Sequence, residues 1–257
     1  MRPGIPQRRR SRKVDSHRRW VERAARFVVR CTTVEPPATD LDRFAARCAA
    51  LGFDLVQPFA VGWYNDAVDI EYRLAAAPDR LGLLIGNTRA LWEPFLAAWR
   101  AEAVLRADPN PVDCYTASRI GALVAELRLD GELRFAHEPP PRRLAVQRLA
   151  DVSGLAPLSP VGLNIHPRFG PWIGLRAALV LDRRGPSGPP PAVANPCPDY
   201  AATCVAAFER ACAADGALPD TWRLWLAVRD ACPIGRAYRY SEAQIRYHYT
   251  KDRGALG

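Results

Sequence analysis

Arginine is the side chain best matched to carboxylates and phosphates, because its planar fork donates two parallel hydrogen bonds and keeps its charge when partly desolvated. Arg176 interrupts the apolar run WIGLRAALVLD, and Arg229 sits among tryptophans and aliphatics in WRLWLAVRDA. Arg253 follows four residues before the last. Each has a bland alternative, an ion pair with a structural Asp or Glu. HPRFGPW (166–172) packs an imidazole, a guanidinium, two aromatics and a permissive Gly170 just before the long apolar run, a density typical of a ligand-facing loop. The plainer role for His166 is to satisfy a buried backbone group. GWYND (62–66) has the same character, since the aromatic bodies and polar tips of Trp63 and Tyr64 suit the lining of a wide pocket.

Other chemistries find little support. Cys197, Cys204, Cys212 and Cys232 are separated by six, seven and nineteen residues, which matches neither the paired spacing of zinc sites nor the close spacing of ferredoxin clusters. His137, Cys31, Cys48 and Cys114 read as ordinary surface or core residues. Four histidines without HExxH, and no GxSxG, argue against a zinc or serine hydrolase. No glycine-rich fingerprint opens a helix after a strand, so neither a dinucleotide site nor a P-loop is expected, and no metal is assigned.

The elements that must position these residues follow from periodicity. Trp20–Val29 suits a short amphipathic helix, and TVEPPATD (33–40) then breaks the chain. Thr39 or Asp40 can cap a helix whose Leu41, Phe44, Ala45 and Cys48 share a face, ending at Gly52. Strands are predicted at 53–61, 81–87, 132–138 and 171–182. Helices are predicted at 91–105, with Trp92, Phe95, Leu96 and Trp99 inward, and at 112–127 behind Pro111, with Cys114, Ala117, Ile120, Gly121 and Val124 on one face. Further helices are expected at 144–152, 199–213, 219–230 and 241–248, and residues 183–196 read as a Pro/Gly-rich linker. Runs of helix and strand without strict alternation fit an α+β sandwich with a mixed or antiparallel sheet flanked by helices.

A chain of 257 residues, 49% apolar, can bury a sizeable core. The net charge of +9 invites a nucleic-acid reading, but its distribution argues otherwise. Residues 1–30 hold eleven Lys and Arg against two Asp and Glu, leaving the remainder balanced at 25 of each. The division expected is a basic, disordered extension over 1–37, carrying that short helix, and one folded domain over 38–257. The chain shows no apolar run of the roughly eighteen residues a membrane helix needs, and its charged start is unlike a secretory signal. A cytoplasmic protein with reduced thiols is therefore expected, without a membrane or nucleic-acid partner.

Taken in order, LGFDLVQPFAVGWYND, NPVDCYTASRIG, NIHPRFGPWIGLRAALVL, WLAVRDA and YRYSEAQIRYHYT resemble successive landmarks of the MMACHC (CblC) family of cobalamin-processing proteins. They span about residues 40–253, and GWYN, HPRFG and RYSEAQ are the most specific. The resemblance implies a modified flavin-nitroreductase-type fold whose wide cavity takes cobalamin with its lower base displaced. It implies reductive decyanation, with FMN or FAD as reductant, or transfer of an alkyl group to glutathione or another thiol. Position by position, Arg176 and Arg229 match arginines through which the family holds glutathione, and Arg253 matches a third across a gap. Cobalamin-facing positions implied in the same way are Trp63, Tyr64, Asp151, His166, Arg168 and Trp172.

At one of these the chain departs from the family, because Asp151 stands where the family has a histidine. The family's tyrosine cluster just beyond is replaced by Leu155, Ala156, Pro157 and Leu158. Competing expectations are a non-catalytic carrier that hands cobalamin to a dependent enzyme or trafficking partner, and an epoxyqueuosine-reductase-like corrinoid protein that has lost its iron–sulfur motif. Whether the chain forms a homodimer is left open.

Overall fold

The apolar run around Arg176 becomes the strand that organises the rest. The computed structural model describes residues 39–197, 201–214 and 220–257, with Thr39–Gly257 forming one unit. The basic extension expected over 1–37, its short helix and Cys31 lie outside the described residues. Strands β1 (Leu55–Ala60), β2 (Arg80–Asn87), β3 (Gly131–Phe135) and β4 (Gly174–Arg184) form one sheet in the order β1-β2-β4-β3, every pair antiparallel. β4 is thus paired on both edges, and its successive residues serve opposite faces.

Ala177, Leu179 and Leu181 join Leu83 and Ile85 of β2 in one apolar cluster. Helices α1 (Asp40–Ala50), α3 (Trp92–Ala101), α4 (Ala103–Ala107) and α5 (Pro111–Glu126) cover it with Phe44, Phe95, Leu105 and Tyr115. Ala178 and Val180 pack on the other face with Leu84, beneath α2 (Val61–Asn65) and α6 (Val146–Val152), which contribute Tyr64 and Leu149. The sheet is therefore buried between two helical layers, the α+β architecture expected, with a wholly antiparallel sheet. α7 (Ala201–Ala213), α8 (Thr221–Asp230) and α9 (Glu242–Thr250) follow. No helix among the described residues is long and apolar enough to cross a membrane.

Local chemistry explains the boundaries. Thr39 caps α1 through a reciprocal exchange with Asp42. The strand expected over 53–61 is shorter, because GWYN winds into α2. The helix expected over 91–105 breaks at Glu102, whose backbone is extended and whose carboxylate pairs with Arg119 of α5. The inward face of α5 is also turned from the predicted one: Val112, Tyr115, Ile120 and Leu123 are buried, whereas Cys114, Ala117, Gly121 and Val124 flank them, half-buried. The large side chains Tyr115 and Leu123 claim the interior and leave the small ones at the margin.

Candidate functional site

Arg176 owes its position to an irregularity in the β2–β4 ladder. Ile85 pairs with Ala177 and Gly86 with Leu175, so Arg176 is the extra residue of a bulge. Bulges re-aim a side chain out of the sheet's alternation. Accordingly, Leu175 packs with the α2/α6 cluster although it lies an even number of residues from Ala177, which faces the other layer. The guanidinium Nε donates to Oδ1 of Asn87, the fully buried last residue of β2, at 2.6 Å, and Asn87 Nδ2 donates to the Thr88 carbonyl at 2.6 Å. Gly174, opposite Asn87 in the register, leaves the space. A Cβ there would lie 2.8 Å from Asn87 Oδ1 and 3.0 Å from Arg176 Nη2.

The bulge opens onto a cleft of about 400 Å³ lined by Arg176, Arg229, Tyr240, His248 and Tyr249, with Pro171 and Ile173 on the same wall. Arg229 comes from α8, its guanidinium 6.0 Å from the Tyr249 ring. The adjacent Asp230 is engaged elsewhere, accepting from Arg239 at 2.7 Å. Among the described residues, neither Arg176 nor Arg229 has a carboxylate within ion-pair distance. The alternative of a structural ion pair does not hold for either. Two forks with most of their donors uncommitted, lining one cleft, can receive two carboxylates or a phosphate.

Burial sets the protonation of the neighbours. It pushes Arg176 below the ordinary arginine value, partly offset by Tyr240, Asp113 and Tyr247. Burial also raises Tyr240 and Tyr249, against the pull of Arg229 on both. His248 is pushed down to about 3, first by burial and then by Arg176, Lys251 and Arg229, so it is neutral at pH 7.

The other expected residues are placed differently. Arg253 does not line this cleft: its Nη2 donates to the carbonyls of Arg106 and Asp108 at 2.5 and 3.2 Å. Tyr64 is fully buried, its hydroxyl accepting from the Ala145 amide at 2.9 Å. Trp172 is 1% exposed and packs against Leu226, Tyr240 and Ile245 behind the cleft wall. Asp151 pairs with Arg148 and accepts from the Leu158 amide at 3.1 Å, tying α6 to the following loop. Trp63 is half-buried and donates to the Gly188 carbonyl at 2.9 Å.

His166 accepts from the amides of Arg168 and Phe169, which makes it the hinge of its own loop. Arg168 is exposed, donates to the Tyr238 hydroxyl at 2.8 Å and stacks on the rings of Phe169 and Tyr238. Gly170 and Gly235, both with positive φ, close this contact: a Cβ on Gly170 would meet the Ile234 carbonyl at 2.0 Å, and one on Gly235 the Phe169 carbonyl at 2.2 Å. A second hollow of about 450 Å³, which includes Tyr72, Arg143 and Leu158, shares Val146 and Gln147 of α6 with the arginine cleft.

Sequence reasoning missed Asn87, Tyr240, His248 and Tyr249 as site residues. The block YRYSEAQIRYHYT has the same aromatic and polar density that singled out HPRFGPW. That signal was present. Of the cysteines, Cys197, Cys204 and Cys232 are buried and Cys212 is exposed. Among the described residues no group of three His, Cys, Asp or Glu is arranged to hold a metal ion.

Comparison with known proteins agrees on one group. The model of the methylmalonic aciduria and homocystinuria type C family, MMACHC, matches residues 52–256. A human cyanocobalamin reductase / alkylcobalamin dealkylase is 28% identical over 236 residues, covering 84% of this chain and 80% of its own length. The protein of the same name from Danio rerio is also 28% identical over 236 residues, covering 82% and 88%. A crystal structure of the C. elegans B12-trafficking protein CblC shares the fold, with a TM-score of 0.64 at 18% identity over 94% of this chain and 96% of that one.

Proposed function

Because the chain belongs to the methylmalonic aciduria and homocystinuria type C family, we propose that it binds cobalamin and removes its upper axial ligand, by reductive decyanation and by transfer of an alkyl group to a thiol. The observation that carries the thiol half of this reading is the pair Arg176 and Arg229, two guanidiniums without carboxylate partners on one cleft. Glutathione bears two carboxylates, so separate forks match it. Arg253, whose Nη2 donates to the carbonyls of Arg106 and Asp108, lies outside the lining of that cleft.

In dealkylation the thiolate sulfur attacks the alkyl carbon. The carbon–cobalt bond breaks, and its electron pair stays on cobalt as Co(I). The chain's task is positioning, holding the sulfur in line with that bond and excluding water. The corrin-facing role is proposed for Trp63 and for the loop of His166 and Arg168, none of which lines either hollow. Tyr64, Asp151 and Trp172 act indirectly, fixing Ala145, Leu158 and Tyr240. The double hollow joined at Val146 and Gln147 gives the breadth that a macrocycle with side chains needs.

Decyanation requires electrons, and reduced FMN or FAD is the proposed donor. The working compartment is proposed to be the cytoplasm, with handover to a cobalamin-dependent enzyme.

Titration of the purified chain with hydroxo-, cyano- and methylcobalamin, followed by ultraviolet-visible absorbance with and without glutathione or reduced flavin, tests this. The expected result is a base-off shift on binding, then loss of cyanide with flavin and of methyl with glutathione. Binding without loss of either group would mark a carrier, and no binding at micromolar concentration would end the proposal.

A further inference from the structure

His248 lies on the wall of the cleft that holds Arg176 and Arg229, and its Nε2 is buried without a hydrogen-bond partner. The ring is gripped by aromatics, with centroids 5.8 Å from Tyr240, 5.8 Å from Tyr247 and 6.0 Å from Trp92. A phenylalanine would satisfy those contacts without an unpaired nitrogen. An orphaned buried polar atom costs stability, so its presence in such a packed position calls for a partner that arrives later.

The charged and titratable groups around it restrict what that partner is. Arg176 of β4, Arg229 of α8 and Lys251 after α9 act on His248, Tyr240 and Tyr247 pack against it, and no carboxylate is among the groups that shift it. The imidazole is neutral at physiological pH, with one ring nitrogen able to donate and the other to accept. A neutral hydrogen-bonding group lining the same cleft as two cationic forks suits a ligand that brings its own negative charge.

We propose that His248 is a ligand-binding residue of this cleft, its Nε2 making the third directed hydrogen bond, beside the forks of Arg176 and Arg229, to a small carboxylate-bearing thiol of the glutathione type. The proposal rests on the reading that the thiol enters here, and extends it to a side chain whose nitrogen has no other use. The imidazole trades stability of the ligand-free protein for affinity.

The test uses the full chain and glutathione as the probe. Glutathione affinity is measured by calorimetry, its KM and kcat in anaerobic demethylation of methylcobalamin, and the midpoint of thermal unfolding in its absence. His248→Phe keeps the ring and removes both nitrogens. It should weaken glutathione about five- to tenfold, an ordinary hydrogen bond's worth, with kcat changed less than KM. Its unfolding midpoint should equal or exceed that of the wild type, and methylcobalamin should bind as before. His248→Gln, whose amide nitrogen falls near the position of Nε2, should recover most of the affinity, and His248→Asn, which reaches only the Nδ1 position, should not. Unchanged glutathione affinity in His248→Phe would overturn the proposal. So would an affinity and an unfolding midpoint that fall together and are not restored by His248→Gln, since that pattern marks a packing role. If the wild type itself binds no glutathione, the thiol reading fails at its root, an outcome distinct from either.

Discussion

Arg176 Nε donates to Asn87 Oδ1 across the β2–β4 ladder at 2.6 Å, so a buried amide, not a carboxylate, holds the guanidinium that lines the cleft. An amide orients the fork without neutralising it, and the remaining donors stay available for an anion. Asn87→Asp should reduce that availability, because it supplies a counter-charge at hydrogen-bond distance, and it also replaces the amide that donates to the Thr88 carbonyl with a second acceptor. The expected outcome is a glutathione KM raised about tenfold or more, with a lower unfolding midpoint from the lost Thr88 bond. Asn87→Ala should instead cost about 1.5–3 kcal/mol in denaturant unfolding, the range for a lost hydrogen bond to a charged group.

Arg176→Ala and Arg229→Ala should each lower kcat/KM for thiol-dependent dealkylation by about 10- to 100-fold, the equivalent of roughly 1.5–3 kcal/mol for a charge-assisted contact. Cobalamin affinity from absorbance titration should change far less. Equal losses in both measurements would make these arginines structural. Arg253→Ala is the contrast: freeing the carbonyls of Arg106 and Asp108 should lower stability and leave glutathione affinity nearly unchanged.

Gly170 and Gly235 allow the HPRFG loop and the Ile234–Gly235 turn to meet backbone to backbone. Gly235→Ala should destabilise the protein by about 1–3 kcal/mol, because the residue keeps a left-handed conformation and its Cβ has nowhere to go. The same variant should weaken cobalamin binding by displacing Arg168 from Tyr238. Denaturant unfolding and the cobalamin absorbance titration check the two effects separately.

His248 also predicts a pH dependence. Its folded value of about 3 lies below the ordinary 6.5, so the unfolded chain takes up the proton first. The neutral form therefore contributes stability that is present above pH 6.5 and is lost as pH falls toward 3, at a rate of at most ~1.4 kcal/mol per pH unit. His248→Phe should flatten that part of the stability curve. Parallel acid limbs for variant and wild type, measured by urea unfolding between pH 3 and 7, would refute the assignment.

The parts of this molecule legible in its sequence are those where a residue contradicts its surroundings. A charge inside WIGLRAALVLD, and another inside WRLWLAVRDA, stand out in the sequence, and both line the cleft. Residue type alone could not separate Tyr64, whose hydroxyl is spent on a backbone amide, from Tyr240 and Tyr249, which face the cleft. Nor does the sequence announce the bulge, which comes from the pairing of Gly86 with Leu175 and of Ile85 with Ala177. Asn87 was hidden for the same reason: its role exists only across a non-local register. The turned face of α5 shows a related limit, since helical period gives the angle between residues but not which of two adjacent stripes has the bulk to fill the interior.

The two guanidiniums differ in what carries them. Arg176 is locked into a strand hydrogen-bonded along both edges, whereas Arg229 rides α8, whose seat against Trp172, Tyr240 and Ile245 is made largely by Leu226. The two cations of the cleft therefore rest on separate supports, so a change in the volume of residue 226 should be felt at Arg229, through its helix, more than at Arg176 within the sheet.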